Sequence, residues 1–213
     1  MQRKTKIVTA VTAALAVLTL GSGTLLQIHA ANDVSSVGQT VAPTTATAAG
    51  TKLTATRVSG NQQNYRVAYT GTSDQSATFQ KKTYGSTSTA ASQVANVGHT
   101  DGATVKLNSA TTAVVQGTMG HTYVHWNKGD WSVTAVTNNA DTTGTPAQFA
   151  KQVNRQLTRT SLPSQATTGA ITVYSQDDDD QTNSVTWQHG KQVYQVSGTT
   201  VAATVKVAQN ADD

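Results

Sequence analysis

The sequence predicts an α+β domain: a largely antiparallel sheet of hairpins with two or three helices on one face, the hairpin-helix unit being repeated in the C-terminal half. Three observations predict it. Runs of β-favouring residues alternate apolar and polar positions from Leu53 onward. An amphipathic run follows Thr145-Pro146. The stretch Tyr123–Val136, Y-V-H-W-N-K-G-D-W-S-V-T-A-V, is echoed by Val185–Val196, V-T-W-Q-H-G-K-Q-V-Y-Q-V.

Taken in order, Arg3, Lys4 and Lys6 precede an apolar run from Ile7 to Leu20, and Gln27-Ile28-His29-Ala30 ends in small residues. This charge, apolar, small-residue pattern reads residues 1–30 as a signal peptide cut after Ala30 or Ala31. The apolar run falls short of the roughly 20 continuous residues a spanning helix needs, and Gly21 and Gly23 interrupt it. Membrane association is expected only if this segment is retained. Residues 31–51 are rich in Thr, Ala and Ser with no apolar period, which reads as a flexible linker. A single domain over residues 52–210 follows, secreted or held at the cell surface.

Within that domain, Leu53–Val58 and Tyr65–Tyr69 alternate around Ser59-Gly60-Asn61 and predict a hairpin, with a third strand at Ala77–Phe79. Ala90, Val94 and Val97 fall at i, i+4 and i+7, which predicts a helix over Thr89–Val97, capped by Ser88 or Thr89 and stopped at Gly98. Strands are expected at Thr104–Leu107 and Ala113–Val115. In the tryptophan stretch, a two-residue Lys128-Gly129 turn would set Trp126 opposite Trp131 and give Val124, Trp126, Trp131, Val133 and Ala135 one apolar face. A three-residue loop over Asn127–Gly129 would instead turn Trp131 to water.

Thr145 is a capping hydroxyl with proline at the first turn, and Phe149, Val153 and Leu157 make an apolar stripe with Ala150. That helix ends before Leu162-Pro163. A strand over Ala170–Tyr174 leads to the second hairpin, where a His189-Gly190 turn puts Val185, Trp187, Tyr194 and Val196 on one face. Val201–Ala208 closes the chain as a short helix, so two hairpin-helix units span Tyr123 to Gln209.

Composition excludes several function classes. Among 213 residues there is no cysteine, so disulfides, thiol catalysis and lipid anchoring through cysteine are out. All 11 acidic residues are aspartate, which removes any mechanism that needs glutamate. Removing Arg3, Lys4 and Lys6 from the 15 basic residues leaves 12 against those 11. A mature chain so close to neutral gives no overall basic field for nucleic acid.

The pair Trp126-x-x-Gly129-x-Trp131 and Trp187-x-x-Gly190, the helix ending at Leu162-Pro163 and the terminal Val205-Lys206-Val207-Ala208 resemble small exported or lipid-anchored Gram-positive bacterial proteins of unknown function. Those proteins carry a W-x-x-G...Y hairpin near the C-terminus, and the resemblance covers roughly the last 100 residues. It implies an architecture and no catalytic residues. Lipid-anchored members carry a cysteine that this chain lacks, so their anchoring does not transfer.

Candidate chemistry is sparse. His121 and His125 lie four apart, but on a strand that is about 13 Å, too far for one metal ion. Asp177, Asp178, Asp179 and Asp180 offer hard oxygens and are the metal-site candidates, without the Asp-x-Asp-x-Asp-Gly spacing of a calcium loop. There is no G-x-S-x-G elbow and no S-x-x-K pair. Asp101, Asp130 and Asp141 are the aspartates free to serve a glycosidase, which needs two facing one cleft. Leu162-Pro163-Ser164 lies mid-chain with no apolar tail behind it, so it is no sorting signal. Trp131, Tyr123 and His125 are the candidate ligand-binding residues, since exposed aromatics stack on sugars or grip peptides. No catalytic residue and no cofactor are expected. The leading expectation is a non-enzymatic envelope module binding a peptide, lipid or wall glycan. The alternatives are an aspartate-dependent or metal-assisted wall hydrolase and a purely structural surface protein.

Overall fold

The computed structural model describes residues 15–19, 24–28, 39–72, 74–98, 100–141, 144–176 and 181–211. Leu15–Thr19 (β1) pairs antiparallel with Thr24–Ile28 (β2), and Gln39–Thr40 (β3) adds to β2, forming a small three-stranded sheet. All other strands belong to one eleven-stranded sheet.

That sheet is three meanders joined side by side. The first is Thr45–Ala48 (β4), Thr51–Gly60 (β5), Tyr65–Thr70 (β6) and Ser76–Thr83 (β7). After helix α1 (Thr87–Ala91) comes the second, Ala103–Lys106 (β8), Thr112–Thr118 (β9), His121–Lys128 (β10) and Trp131–Asn138 (β11). Helix α2 (Pro146–Thr158) leads to the third, Thr168–Tyr174 (β12), Asn183–His189 (β13) and Gln192–Gly198 (β14), and helix α3 (Val201–Gln209) follows. The spatial order is β4-β5-β6-β7-β14-β13-β12-β11-β10-β9-β8. Every pair is antiparallel except β11 and β12, which are joined by α2 as a parallel crossover requires.

The expected α+β class is therefore overturned: the described residues are mostly sheet, with three short helices of 5, 13 and 9 residues among them. Nor do the helices share a face. α2 packs on β10 and β11, and α3 on β4, β7, β13 and β14, both over the main core. α1 buries Ala90 against Ala170 and Val193 in a separate cluster on the opposite face. Because α3 touches both the edge strand β4 and the central strand β13, the β4–β7 limb must curl around it.

Order also begins earlier than residue 52. β4 lies inside the stretch read as a linker, and Ala42, Ala46 and Ala48 are buried in the main core. Tyr69 Oη donates to Pro43 O at 2.7 Å, and Tyr65 Oη accepts from Val41 N–H at 3.1 Å, so two core tyrosines pin this segment. Alanine carries too little apolar bulk for its alternation with threonine to mark a strand. The turn into β5 puts both Ala49 (φ 49°) and Gly50 (φ 83°) at positive φ, the type I′ requirement for a tight hairpin.

The tryptophan hairpins keep their expected faces with a shifted turn. Lys128 pairs with Trp131 and Trp126 with Val133, so the two-residue turn is Gly129-Asp130, one position later than expected. His189 pairs with Gln192 around Gly190-Lys191 in the same way. A turn displaced by one moves the pairing by two, and a two-residue change preserves the side of the sheet. Glycine takes the first central position with φ 59° and 56°, which a residue with a side chain adopts only under strain. Trp126, Trp131 and Trp187 are 2%, 6% and 3% exposed. Trp187 stacks on Tyr194 at 5.2 Å and meets Phe79 edge-on at 6.0 Å. The indoles are core.

Candidate functional site

Strand alternation that sends Trp126, Val133, Ile171, Val185, Val196 and Phe79 into the core sends their neighbours to the other face of the sheet. There the register lines up hydroxyls across five strands: Thr134 on β11, Thr172 on β12, Ser184 on β13, Ser197 on β14 and Thr78 on β7. One rung along, Thr186, Gln195 and Gln80 are cross-strand neighbours. Thr134, Thr172, Ser184, Thr186, Ser197, Thr78 and Gln80 are half-buried, and Gln195 is exposed. None of the six strands from β10 to β14 and β7 contains an acidic residue.

Tyrosines bound this surface at one end. Tyr123 pairs across β10–β11 with Val136, and Val136 pairs with Tyr174. The Tyr174 hydroxyl holds its proton above the ordinary range, first because burial disfavours the phenolate and then because Tyr123 is close. At the other end the chain between β7 and β8 lies across the sheet as a strap. Gln188 Nε2 donates to Thr87 O at 2.9 Å, and Asn96 Nδ2 donates to Gly169 O at 2.8 Å and Asp130 O at 3.3 Å. Val97 N–H donates to Ser132 Oγ at 3.1 Å. Between strap and sheet is a cleft of about 120 Å³ bounded by Gln80, Tyr84, Gln93, Thr186 and Gln195. Amides, a hydroxyl and one phenol make up most of these walls, with Lys82 and Val193 completing them.

The three residues proposed from sequence do not converge. Trp131 is on the core face, tilted against Trp187 at 6.4 Å, so it is not available to stack on a ligand. Tyr123 and His125 are on the opposite face. His125 is 7% exposed and fully engaged, with Nδ1 3.1 Å from Thr134 Oγ1 and Nε2 3.2 Å from Val97 O. Its role is to tie the strap to β10. Of the three, Tyr123 alone borders the open surface.

The acid and metal candidates also separate. Asp130 lies in the turn before β11 and Asp141 three residues after that strand, so about 25 Å of strand divides them. Asp101 is on the strap, where its carbonyl accepts from Gln116 Nε2. Asp141 accepts from Ser175 Oγ at 3.0 Å and, with Arg155, borders a cleft of about 370 Å³ at the start of α2. His121 Nε2 is 3.2 Å from Gln181 Nε2. No three His, Cys, Asp or Glu side chains gather to hold a metal among the described residues. Asp177–Asp180 lie outside the described residues.

The hydroxyl and amide surface was missed because it exists only in the assembled register. Each strand supplies one or two unremarkable polar residues, and the pairings that align them include β14 with β7 and the parallel β11 with β12. Alternation gave the parity; nothing local gave the neighbours. Among the described residues no helix is long and apolar enough to cross a membrane. Comparison with known proteins finds no matching family model, curated protein or solved structure.

Proposed function

We propose that the protein is a non-enzymatic binding module of the cell envelope, and that the sheet face opposite the tryptophans takes an uncharged wall glycan. The observation that carries this reading is the aligned surface of Thr134, Thr172, Ser184, Thr186, Gln195 and Gln80. Hydroxyls both donate and accept, and carboxamides offer each function on a planar group, which matches the vicinal hydroxyls of a sugar. Tyr123 and Tyr174, half-buried with polar tips, supply apolar ring surface at the border.

Two features favour a glycan over a lipid and a binding module over a hydrolase. Val97 and Met119 are the exposed large hydrophobics among the described residues, too few for a lipid face. Glycoside hydrolysis uses two carboxyl groups about 5–10 Å apart, and the strands of this surface carry none. Placement at the envelope is supported by the pattern of residues 3–31 and by the cysteine-free composition.

The test is titration of the full chain with purified neutral wall-glycan fragments, for the native protein and for Thr172→Val with Gln195→Ala. Losing two hydrogen bonds at about 1 kcal/mol each weakens binding on the order of tenfold or more. Unchanged affinity in the double variant would remove this surface from consideration.

A further inference from the structure

The same sheet face changes character toward β5. Arg66 pairs with Gln80, and Lys82 is two residues further along β7; Arg57 pairs with Ala68, two residues along β6 from Arg66. All three cations are exposed, while Val58, Tyr65 and Val67 beside Arg57 and Arg66 are buried in the core and Lys81 and Thr83 beside Lys82 are half-buried. Arg57, Arg66 and Lys82 therefore form a diagonal stripe with steps of about 7 Å, the separation of diagonal neighbours on adjacent strands.

No acidic residue occurs in β5, β6 or β7. Asp74 lies in the β6–β7 turn, at the end of those strands away from Arg66 and Lys82. Arg66 and Lys82 line a cleft of about 320 Å³ together with Ser59, Asn64 and Gln80. Gln80 and Lys82 also line the cleft beneath the strap, so the two clefts adjoin. Lys81 points to the core side, where its ammonium donates to Gln62 O at 3.3 Å and stands over the Tyr65 ring at 5.7 Å.

We propose that the Arg57–Arg66–Lys82 stripe binds successive phosphodiesters of a linear polyol or sugar phosphate polymer. The phosphate contacts rest on the sheet register alone; the choice of a polyol or sugar between phosphates rests on the glycan reading of the adjoining surface. A nucleic acid strand is disfavoured because its bases need exposed aromatic platforms, and Tyr65, Tyr69 and Phe79 of this limb are all buried.

The experiment compares the full chain binding to poly(glycerol phosphate), inorganic tripolyphosphate, a neutral glycan fragment and an oligothymidylate of matched charge, across salt. The native chain should bind the polymer with a log–log salt slope of about −2, from roughly 0.7 per neutralised phosphate on a single strand. Arg57→Gln/Arg66→Gln/Lys82→Gln should weaken it at least tenfold and flatten that slope. A control of equal net charge, Lys106→Gln/Lys151→Gln/Arg159→Gln, should keep the affinity. Absence of polymer binding at low salt, full affinity in the stripe variant, equal loss in the control, or equally tight oligothymidylate overturns the proposal. Tripolyphosphate binding as tightly as the polymer would also do so, reducing the site to a simple anion site. Failure of the neutral fragment alone sinks the glycan reading and leaves the stripe standing.

Discussion

Two buried tyrosines show how single side chains set the conditions under which this fold survives. Tyr65 is pushed up to about 12, chiefly by burial, with the Val41 N–H opposing the shift. Tyr69 is raised further, again by burial first. An unfolded tyrosine ionises near 10. Between pH 10 and 12 the unfolded chain thus sheds a proton that folded Tyr65 keeps, so the Tyr65 contribution is complete below pH 10 and lost as pH rises toward 12. Urea midpoints measured from pH 9 to 12 should fall, and Tyr65→Phe should reduce the slope by about 1.4 kcal/mol per pH unit; an unchanged slope would contradict the burial argument. Gly169 gives a second prediction at this scale. A Cβ there would run into the six-membered ring of Trp131, so Gly169→Ala should cost about 1–3 kcal/mol by overpacking, read as a lower denaturant midpoint. Nothing in the sequence around Gly169 marks it; the requirement comes from a tryptophan brought beside it by parallel pairing.

At the scale of elements, local chemistry was a good guide where it was self-contained. Thr145 and Gln148 form the reciprocal capping box, and α2 starts at Pro146 as its sequence indicates. Ala150, Val153 and Leu157 are buried, while Phe149 is only partly so. α1 was less legible. Its apolar spacing suggested a helix to Val97, but helix ends at Ala91, capped by Ser86. Beyond it, the Asn96 side chain and the Val97 N–H bond to the sheet, and Val97 is exposed. Tertiary hydrogen bonds outweighed a weak helical propensity. Asn96→Ala removes the bonds to Gly169 O and Asp130 O, so amide exchange at Val97 should accelerate while protection in β10–β14 persists. If the strand amides lose protection to the same degree, the strap is an integral part of the sheet's stability and not a locally fastened segment.

For the whole molecule, parity along each strand was legible and the order of strands was not. The faces of Trp126 and Trp187 follow from alternation and that of Trp131 from a two-residue turn, and the displacement of that turn by one left them intact. Meeting β7 with β14, curling β4 around α3, and sending α1 to the second face are non-local events with no short-range signature. Those events turned an expected α+β domain into a broad sheet, and they assembled Thr134, Thr172, Ser184, Thr186 and Gln195 into one surface. The most direct measurement of that surface's role is an amide NMR titration of the full chain with neutral wall-glycan fragments. The account predicts shifts concentrated at Thr134, Thr172, Ser184, Thr186 and Gln195, with the tryptophan indoles unmoved. Shifts centred on the indoles or on the cleft beside Asp141 and Arg155, or none at saturating fragment, would contradict it.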